Sequence, residues 1–191
     1  MKKGTLFVMS APSGVGKTTL KDLVLKDFPK IQYSISATTR HPRDGEVDGT
    51  HYFFKSHNEF LSMIQADELI EHMEVHKNFY GTPRVFIEEK INQGIDIILD
   101  LDVYGKINFD KRYPEAVGIL ILPPSMDEME RRLRSRNTDA EEVIKVRLEN
   151  ARAEIEFAES NGKYEYKLIN DNLMDCAKEL EDLIQKHTVQ Y

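Results

Sequence analysis

A glycine-rich segment near the start of the chain contains the residue types that bind a nucleotide phosphate. The segment reads Ala11-Pro12-Ser13-Gly14-Val15-Gly16-Lys17-Thr18-Thr19, after an apolar run and before residues with helical spacing. Backbone N–H groups in such a turn point towards a bound phosphate, and the N-terminus of the following helix adds partial positive charge. The pattern therefore predicts a P-loop for ATP or GTP, although Ala11 stands where the first glycine of the motif is usual.

Two side chains of this loop predict contacts of their own. Lys17 is expected to bridge the β- and γ-phosphates, and the hydroxyl of Thr18 is expected to ligate Mg²⁺. Gly14 and Gly16 let the backbone turn and approach the phosphates closely. The alternative is a turn that only links a strand to a helix, but a Lys-Thr pair in register after a strand disfavours it.

Two arginines three residues apart predict a second phosphate site. Arg40 and Arg43 follow an apolar run, and Pro42 between them stiffens the loop. A guanidinium group presents paired donors in a fixed plane, which suits a phosphate dianion. The alternative is a pair of solvated surface charges. We predict that these arginines bind the phosphate of an acceptor substrate.

Two aspartates predict a further polar contact near the phosphates. Asp100 and Asp102 alternate with Leu99 and Leu101 at the end of an apolar run, so both carboxylates are expected on one face of a strand. Like charges on a buried face need a cation or a donor group, and Lys17, hydrated Mg²⁺ and a base are the candidates. The alternative is a solvated strand end.

Short apolar runs bounded by turn or capping residues predict buried strands. These runs are residues 5–10, 32–37, 95–101, 117–122 and 166–169. Because helical patterns lie between them, we predict an α/β, three-layer fold with a central parallel sheet of about five strands and helices on both faces. Two further strand patterns, 51–54 and 68–75, break the alternation and indicate an inserted lobe.

Helix boundaries are indicated by capping signals. A Ser or Thr followed three residues later by Glu satisfies free N–H groups at a helix start. Such pairs are Ser56 with Glu59, Ser125 with Glu128 and Thr138 with Glu141. Further helices are expected from Pro83 to just before Gly94, over 139–159 and over 173–187.

Composition limits the classes of protein that need to be considered. The chain has 191 residues, 40% of them hydrophobic and 31% charged, which predicts one globular domain. Its net charge of -7 argues against nucleic-acid or membrane partners. The lone cysteine, Cys176, cannot form an intramolecular disulfide, and no apolar stretch is long enough to be a signal peptide or to span a bilayer. A cytoplasmic location is expected.

Taken together, five segments resemble the guanylate kinase family. They are Ser10-Ala11-Pro12-Ser13-Gly14-Val15-Gly16-Lys17, Thr38-Thr39-Arg40-x-Pro42-Arg43-x-Gly45-Glu46, a turn at Tyr80-Gly81-Thr82, Asp100-Leu101-Asp102, and Asn170-Asp171. The similarity extends over nearly the whole chain. It implies an enzyme that uses Mg²⁺ and transfers the γ-phosphate of ATP to GMP, and it implies that dGMP is also accepted.

The resemblance implies which residues hold the two nucleotides. The GMP residues would be Ser36, Arg40, Arg43, Glu46, Tyr52, Glu71, Tyr80, Thr82, Asp100 and Asp102, and Asn170 would contact the adenine of ATP. Guanine offers N–H donors that match a carboxylate, whereas adenine sets a lone pair against it. Alternatives stay open: Thr82 as a helix N-cap, Tyr52 and Tyr80 as ordinary strand aromatics, and Asn170 as a turn former.

The resemblance also divides the chain into parts. The core would be 1–36, 95–124 and 160–191, with a GMP-binding lobe at about 37–92 and a lid at about 125–159 within a single domain. Arg136 and Arg147 of the lid would reach the phosphates and act with Lys17, Arg40 and Arg43 in catalysis. Other lid arginines, Arg131, Arg132 and Arg134, would be a solvated helix face.

The sequence departs from the family pattern at a few positions and leaves two other functions open. Tyr104, Lys77 and Asn137 replace residues that are glutamine, glycine or small in many members, which affects the expected flexibility of the lid. One alternative function is a non-catalytic guanylate-kinase-like module that binds phosphorylated proteins. Another is a P-loop kinase for a different small phosphorylated acceptor. The protein is expected to be a monomer or a homodimer.

Overall fold

The computed structural model describes residues 3–12, 14–75, 77–135 and 140–188. The elements in chain order are β1 (Leu6–Ser10), α1 (Lys17–Asp27), β2 (Gln32–Tyr33), β3 (Ala37–Thr38), β4 (Phe53–Phe54), α2 (His57–Gln65), β5 (Leu69–Val75), β6 (Asn78–Pro83), α3 (Arg84–Asn92), β7 (Ile97–Asp100), α4 (Val103–Asp110), β8 (Val117–Leu122), α5 (Met126–Ser135), α6 (Glu141–Asn161), β9 (Tyr166–Ile169) and α7 (Leu173–His187).

The central sheet has five parallel strands in the order β2-β7-β1-β8-β9. All five residues of β1 are buried, as expected for a strand that is covered on both faces. Phe7 and Met9 point into a cluster with α1 and α7, whereas Leu6 and Val8 point into a second cluster with α3. The predicted three-layer α/β fold is confirmed.

A second sheet carries the part of the chain that breaks the alternation. Its strands lie in the order β4-β3-β6-β5, and β6 pairs antiparallel with both β3 and β5. Helix α2 covers one face through Phe60, which is fully buried and stacks on Phe79. The predicted capping box at the start of α2 is present, with Ser56 and Glu59 each binding the other's backbone N–H. The strand at 51–54 is shorter than predicted, because only Phe53 and Phe54 pair with β3, while Tyr52 forms an isolated bridge with Asp48.

Two expectations about strands were wrong. The run 32–37 is not one strand, because the ladder to β7 ends with the bond from Ser34 N–H to the Ile98 carbonyl and the chain then crosses to the second sheet at Ala37. Residues 80–82 are not a turn, since they lie inside β6, where Gly81 pairs with both Ala37 and His72.

The helix predictions are confirmed at most positions. Helix α3 ends at Asn92, just before Gly94, whose φ of 79° lies in the left-handed region. Ser125 Oγ accepts a hydrogen bond from Glu128 N–H at 3.0 Å, at the start of α5. Helix α6 begins at Glu141 rather than at 139, and Thr138 with its expected capping role lies outside the described residues. Of the helices in the described ranges, none has the length and apolar character needed to cross a bilayer.

Candidate active site

The P-loop connects β1 to α1 at the carboxyl end of the central strand. Gly14 and Gly16 have φ angles of 97° and 98°, in the region that favours glycine, and Gly16 is the N-cap of α1. Ala11 and Val15 are buried, so the turn is anchored in the core. Ser13 lies outside the described residues. Positive φ angles at two glycines directly before α1 are the backbone conformation expected of a P-loop.

Lys17 lies across the end of the neighbouring strand. Its ammonium group forms an ion pair with Asp100, the last residue of β7, and donates a hydrogen bond to the carbonyl oxygen of Leu101 at 3.3 Å. Both side chains are about one-fifth exposed. The expected pairing of Asp100 with Lys17 is therefore present before any nucleotide binds.

The two arginines are organised by one carboxylate. Arg40 donates two hydrogen bonds of 2.9 Å to the two oxygens of Glu46, and the same carboxylate accepts from Arg43 N–H at 2.7 Å. The Arg40 hydrogen bond, more than any other contact, lowers the pKa of Glu46 to about 2. The guanidinium of Arg40 also lies 5.3 Å from the centre of the Tyr52 ring. Glu46 thus holds Arg40 in a fixed orientation.

A cavity of about 290 Å³ lies between the P-loop and the arginines, and we call it the acceptor cavity. Its walls bring together side chains from α1, from the loop after β3 and from β6. They include Thr18, Lys21, Arg40, Arg43, Tyr52, Tyr80 and Asp100. The rings of Tyr52 and Tyr80 meet edge to face at 6.2 Å, so both aromatics face a cavity instead of being ordinary core residues.

A second space of about 210 Å³ adjoins the acceptor cavity, and we call it the base pocket. The two share Tyr52, Tyr80 and Asp100. The base pocket is also lined by Lys17, Ser36, Glu71, Asp102 and Gly105. The acceptor cavity and the base pocket therefore adjoin each other across these three residues, and we call the two together the cleft.

A buried carboxylate forms the floor of the base pocket. Glu71 is 7% exposed and accepts a hydrogen bond of 2.6 Å from the hydroxyl of Thr82. Burial raises the pKa of Glu71 to about 7, against the effect of that hydrogen bond. The N-cap alternative for Thr82 is wrong, because the N-cap of α3 is Pro83 and the Thr82 hydroxyl donates its hydrogen bond to Glu71.

Asp102 differs from its expected setting. It is not a strand residue beside Asp100, because β7 ends at Asp100 and Asp102 is the N-cap of α4, a helix that the capping signals did not predict. Its carboxylate accepts hydrogen bonds from Tyr104 N–H at 2.9 Å and Gly105 N–H at 2.7 Å. Both aspartates still line the base pocket, as the alternation predicted.

Gly105 lies between the two carboxylates of the base pocket. A Cβ atom at this position would lie 3.2 Å from Glu71 Oε2 and 3.5 Å from Asp102 Oδ1. Because Glu71 is held by Thr82, a methyl group here would press on a side chain that has little room to move. The absence of a side chain at Gly105 keeps the gap between Glu71 and Asp102 open.

Asn170 connects the end of β9 to the P-loop. Its side-chain amide donates a hydrogen bond of 2.7 Å to the carbonyl oxygen of Val15, and the residue is 3% exposed. Its own carbonyl accepts from Arg132 at 2.7 Å, and the next carbonyl, that of Asp171, accepts from the same guanidinium at 2.9 Å. Asn170 is thus hydrogen-bonded both to the P-loop and to α5.

The lid arginines that the structure describes lie on the two helices after β8, α5 and α6. Helices α5 and α6 pack through a small cluster that includes Leu133 and Leu148. Arg131 and Arg134 form ion pairs with glutamates, and Arg132 pairs with Glu128 while binding the β9 end, so the expectation of a plain solvated face was wrong for Arg132. Arg147 lies in the second turn of α6. Arg136 lies outside the described residues.

The departures from the family pattern occupy distinct positions. The ring of Tyr104, at the start of α4, packs 4.3 Å from the ring of Phe157 in α6. Lys77 has a φ of 65° between β5 and β6, a conformation that glycine adopts more readily. Asn137 lies outside the described residues.

Sequence reasoning missed several residues that line the cleft, and two of them bear on its chemistry. Lys21 and Gly105 line the acceptor cavity and the base pocket respectively. Lys21 follows Lys17 by four residues in α1, so helical periodicity places both on one face and could have identified it. No local signal distinguishes Gly105, because its neighbour Glu71 comes from another sheet.

The parallel sheet with a P-loop after β1, and a second cationic site facing that loop, define the class of P-loop phosphotransferases. The guanylate kinase family model matches residues 3–187. A guanylate kinase of Desulfitobacterium hafniense is 42% identical over 95% of this chain and 89% of its own length, and that of Escherichia coli K12 is 45% identical over 97% and 89%. The chain belongs to the guanylate kinase family.

Solved structures agree with this assignment. The crystal structure of guanylate kinase from Anaplasma phagocytophilum superposes with a TM-score of 0.80 at 32% identity, covering 99% of this chain and 88% of that one. Shikimate kinase from Bacteroides thetaiotaomicron, at 13% identity and a TM-score of 0.50, shares the fold alone. The two alternatives, a non-catalytic binding module and a kinase for another acceptor, are not favoured.

Proposed function

We propose that this protein transfers the γ-phosphate of ATP to the phosphate of GMP, giving ADP and GDP. The observation that carries the proposal is the adjacency of the two spaces of the cleft: residues of the P-loop, the Arg40–Glu46 pair and Glu71 all line it. Two nucleotides bound to these groups would meet with their phosphates between Thr18 and Arg43.

Guanine recognition is proposed to rest on the carboxylates of the base pocket. Guanine presents N–H donors at N1 and at its 2-amino group, which Glu71 and Asp102 can accept. Adenine has a lone pair at N1, and a buried polar site that is left unmatched rejects such a substrate strongly. The hydroxyl of Thr82 acts through Glu71, since it fixes one of that carboxylate's oxygens.

The acceptor phosphate is proposed to bind Arg40 and Arg43, with Ser36, Tyr52 and Tyr80 beside it. Because this phosphate is already an anion, the transfer requires no general base, and catalysis consists of alignment and charge neutralisation. Glu46 contributes by holding Arg40 through two hydrogen bonds. The orientation of Arg40 is therefore fixed before GMP arrives.

ATP is proposed to bind the P-loop from Ala11 and Pro12 to Thr18 and Thr19, with Lys17 on its terminal phosphates. The hydroxyl of Thr18 and the carboxylate of Asp100 face the same cavity, and oxygen donors of this kind suit Mg²⁺. Bound there, Mg²⁺ would neutralise phosphate charge. The adenine contact of Asn170 and the phosphate contacts of Arg136 and Arg147 stay predictions.

The chain is proposed to be a single domain in which two parts, a GMP-binding lobe and a lid, close over the core. The second sheet would close over GMP, and α5 with α6 over ATP, which would keep water from the γ-phosphate. Acceptance of dGMP, a monomeric or homodimeric state and a cytoplasmic location also stay predictions.

The proposal is tested with a coupled assay for ADP release against a panel of acceptors. GMP and dGMP should support turnover with ATP and Mg²⁺, whereas AMP, CMP, UMP and shikimate should not. A binding module would release no ADP with any acceptor. Equal turnover with AMP and GMP would contradict the account of the base pocket.

A further inference from the structure

Lys21 is a cation of the acceptor cavity that the proposed function has not used. It lies on α1, one turn after Lys17, and its ammonium group sits 4.2 Å from the centre of the Tyr33 ring. Its side chain is only 15% exposed. Its ion-pair partner Asp22, at 2.9 Å, is 62% exposed and is not among the residues that line the acceptor cavity.

Tyr33 contacts Lys21 through its aromatic ring and contributes no charge of its own. The ring lies at the end of β2 and also lines the acceptor cavity. Burial, followed by the nearby Asp100, raises the pKa of the Tyr33 phenol above its ordinary value, so the phenol stays neutral. A cation over a neutral aromatic face is attracted by the ring, which orients Lys21 without neutralising it.

The charges around the acceptor cavity do not balance without a ligand. Arg40 is neutralised by Glu46, and Asp100 by Lys17. Lys21 pairs with Asp22, which lies outside the cavity wall, and Arg43 is the remaining charged lining residue. These groups together carry one net positive charge, which favours the anionic phosphate of a nucleoside monophosphate.

We propose that Lys21 is a third cation for the acceptor phosphate and binds it together with Arg40 and Arg43. Its ammonium group supplies a point charge on the α1 side of the phosphate, opposite the second sheet. The acceptor is then held both from α1 and from the loop after β3, which restrains its position relative to the P-loop. This inference rests on the proposed function, because it takes the acceptor cavity to be the site of the GMP phosphate.

The test begins with GMP binding to the wild-type protein by calorimetry, followed by Lys21→Gln and Lys21→Met. Methionine keeps an apolar stem over Tyr33 and removes only the charge. A lost charged contact should weaken GMP binding and raise the KM for GMP by about tenfold or more. The KM for ATP should stay within about twofold, and Lys21→Arg should retain most of the affinity.

Two matched controls separate this role from a structural one. Lys26→Gln removes an exposed lysine of the same helix, and Asp22→Asn removes the surface partner of Lys21; neither should weaken GMP binding. Affinity within twofold of wild type in both Lys21→Gln and Lys21→Met would overturn the inference, as would an equal loss in Asp22→Asn. A wild-type protein that does not bind GMP would instead contradict the proposed function itself.

Discussion

The donor side and the acceptor side of the cleft are built in different ways. The P-loop is one continuous segment between β1 and α1, and the groups it offers to phosphate are mainly backbone amides. The acceptor side takes Arg40 from the loop after β3, Glu71 from β5 and Asp102 from the start of α4. A backbone cradle tolerates most side-chain changes, whereas a site made of side chains depends on each of them. On the donor side, substitution of one residue, Lys17, should therefore abolish most of the activity. On the acceptor side, each substitution should cause a smaller, partial loss.

The largest effect is expected at Lys17. Lys17→Ala removes the only side-chain cation that the P-loop itself provides, so turnover should fall by a factor of about 10³, comparable to the loss of a donor to transition-state charge. The fold should persist, because Lys17 and Asp100 are both partly exposed. ADP release and thermal unfolding measure the two effects. Activity near wild type would refute the donor assignment.

The second-largest effect is expected on the selectivity for the base, when either carboxylate of the base pocket is replaced by an amide. Glu71→Gln presents an amide in place of one carboxylate, and the preference for GMP over AMP should fall by about 10². Asp102→Asn should lower the same preference and also weaken the start of α4, because Asp102 caps that helix. The ratio of kcat/KM values for GMP and AMP gives the result. Unchanged ratios in both variants would remove the carboxylates from base recognition.

A smaller effect should follow from a residue that positions another. Glu46→Gln leaves Arg40 and Arg43 in place but weakens the two hydrogen bonds that orient Arg40. The KM for GMP should rise about tenfold, with the KM for ATP unchanged, since the lost hydrogen bonds involve charged groups. Glu59→Gln, a change at an exposed carboxylate of the same lobe, serves as the control. A fall in kcat alone would contradict the positioning role.

The smallest effect is a dependence on pH. Glu71 has a pKa raised from 4.5 to about 7, so its carboxylate gains a proton as the pH falls below 7 and accepts hydrogen bonds from guanine less well. The KM for GMP should rise a few-fold between pH 8 and pH 6. The phosphate of GMP also titrates near pH 6, and Glu71→Gln shows that contribution alone.

The same group affects the stability of the fold with the opposite sign. A carboxyl group with a raised pKa stabilises the folded state fully below its unfolded value of 4.5, and this contribution is lost as the pH rises towards and through 7. Without nucleotide, the difference in melting temperature between the wild-type protein and Glu71→Gln should therefore shift against the wild type from pH 5 to pH 8. A constant difference would contradict the raised pKa.

The contrast between the two sides also explains what the sequence could predict. The P-loop, the strand at Val117–Leu122 and the capping box at Ser56 depend on neighbours within a few residues, and their patterns predicted them correctly. The crossing of the chain from one sheet to the other at Ala37 depends on pairing with Gly81, which no local pattern encodes. On the acceptor side, spacing alone predicted the arginine pair and the two aspartates, whereas Ser36, Glu71 and Thr82 could be inferred only through the family resemblance.

Asp102 and Lys21 show the same limit at the level of single side chains. Alternation placed Asp102 in the right pocket for a wrong reason, because a helix cap and a strand end can direct a carboxylate to the same place. Helical spacing could have placed Lys21 beside Lys17, but not beside its supporting ring, Tyr33, which comes from the edge strand β2. The contacts of such residues become visible only when the sheet order is known.

Gly105 shows that a site can depend on an atom that is not there. Glycine inside a helix is about 1 kcal/mol less favourable than alanine, so α4 gives up intrinsic stability at the point where it passes Glu71 and Asp102. Any evolutionary or engineering route that improves this helix by adding a methyl group would narrow the opening for guanine. The most stable version of α4 and the most selective version of the enzyme are therefore different sequences.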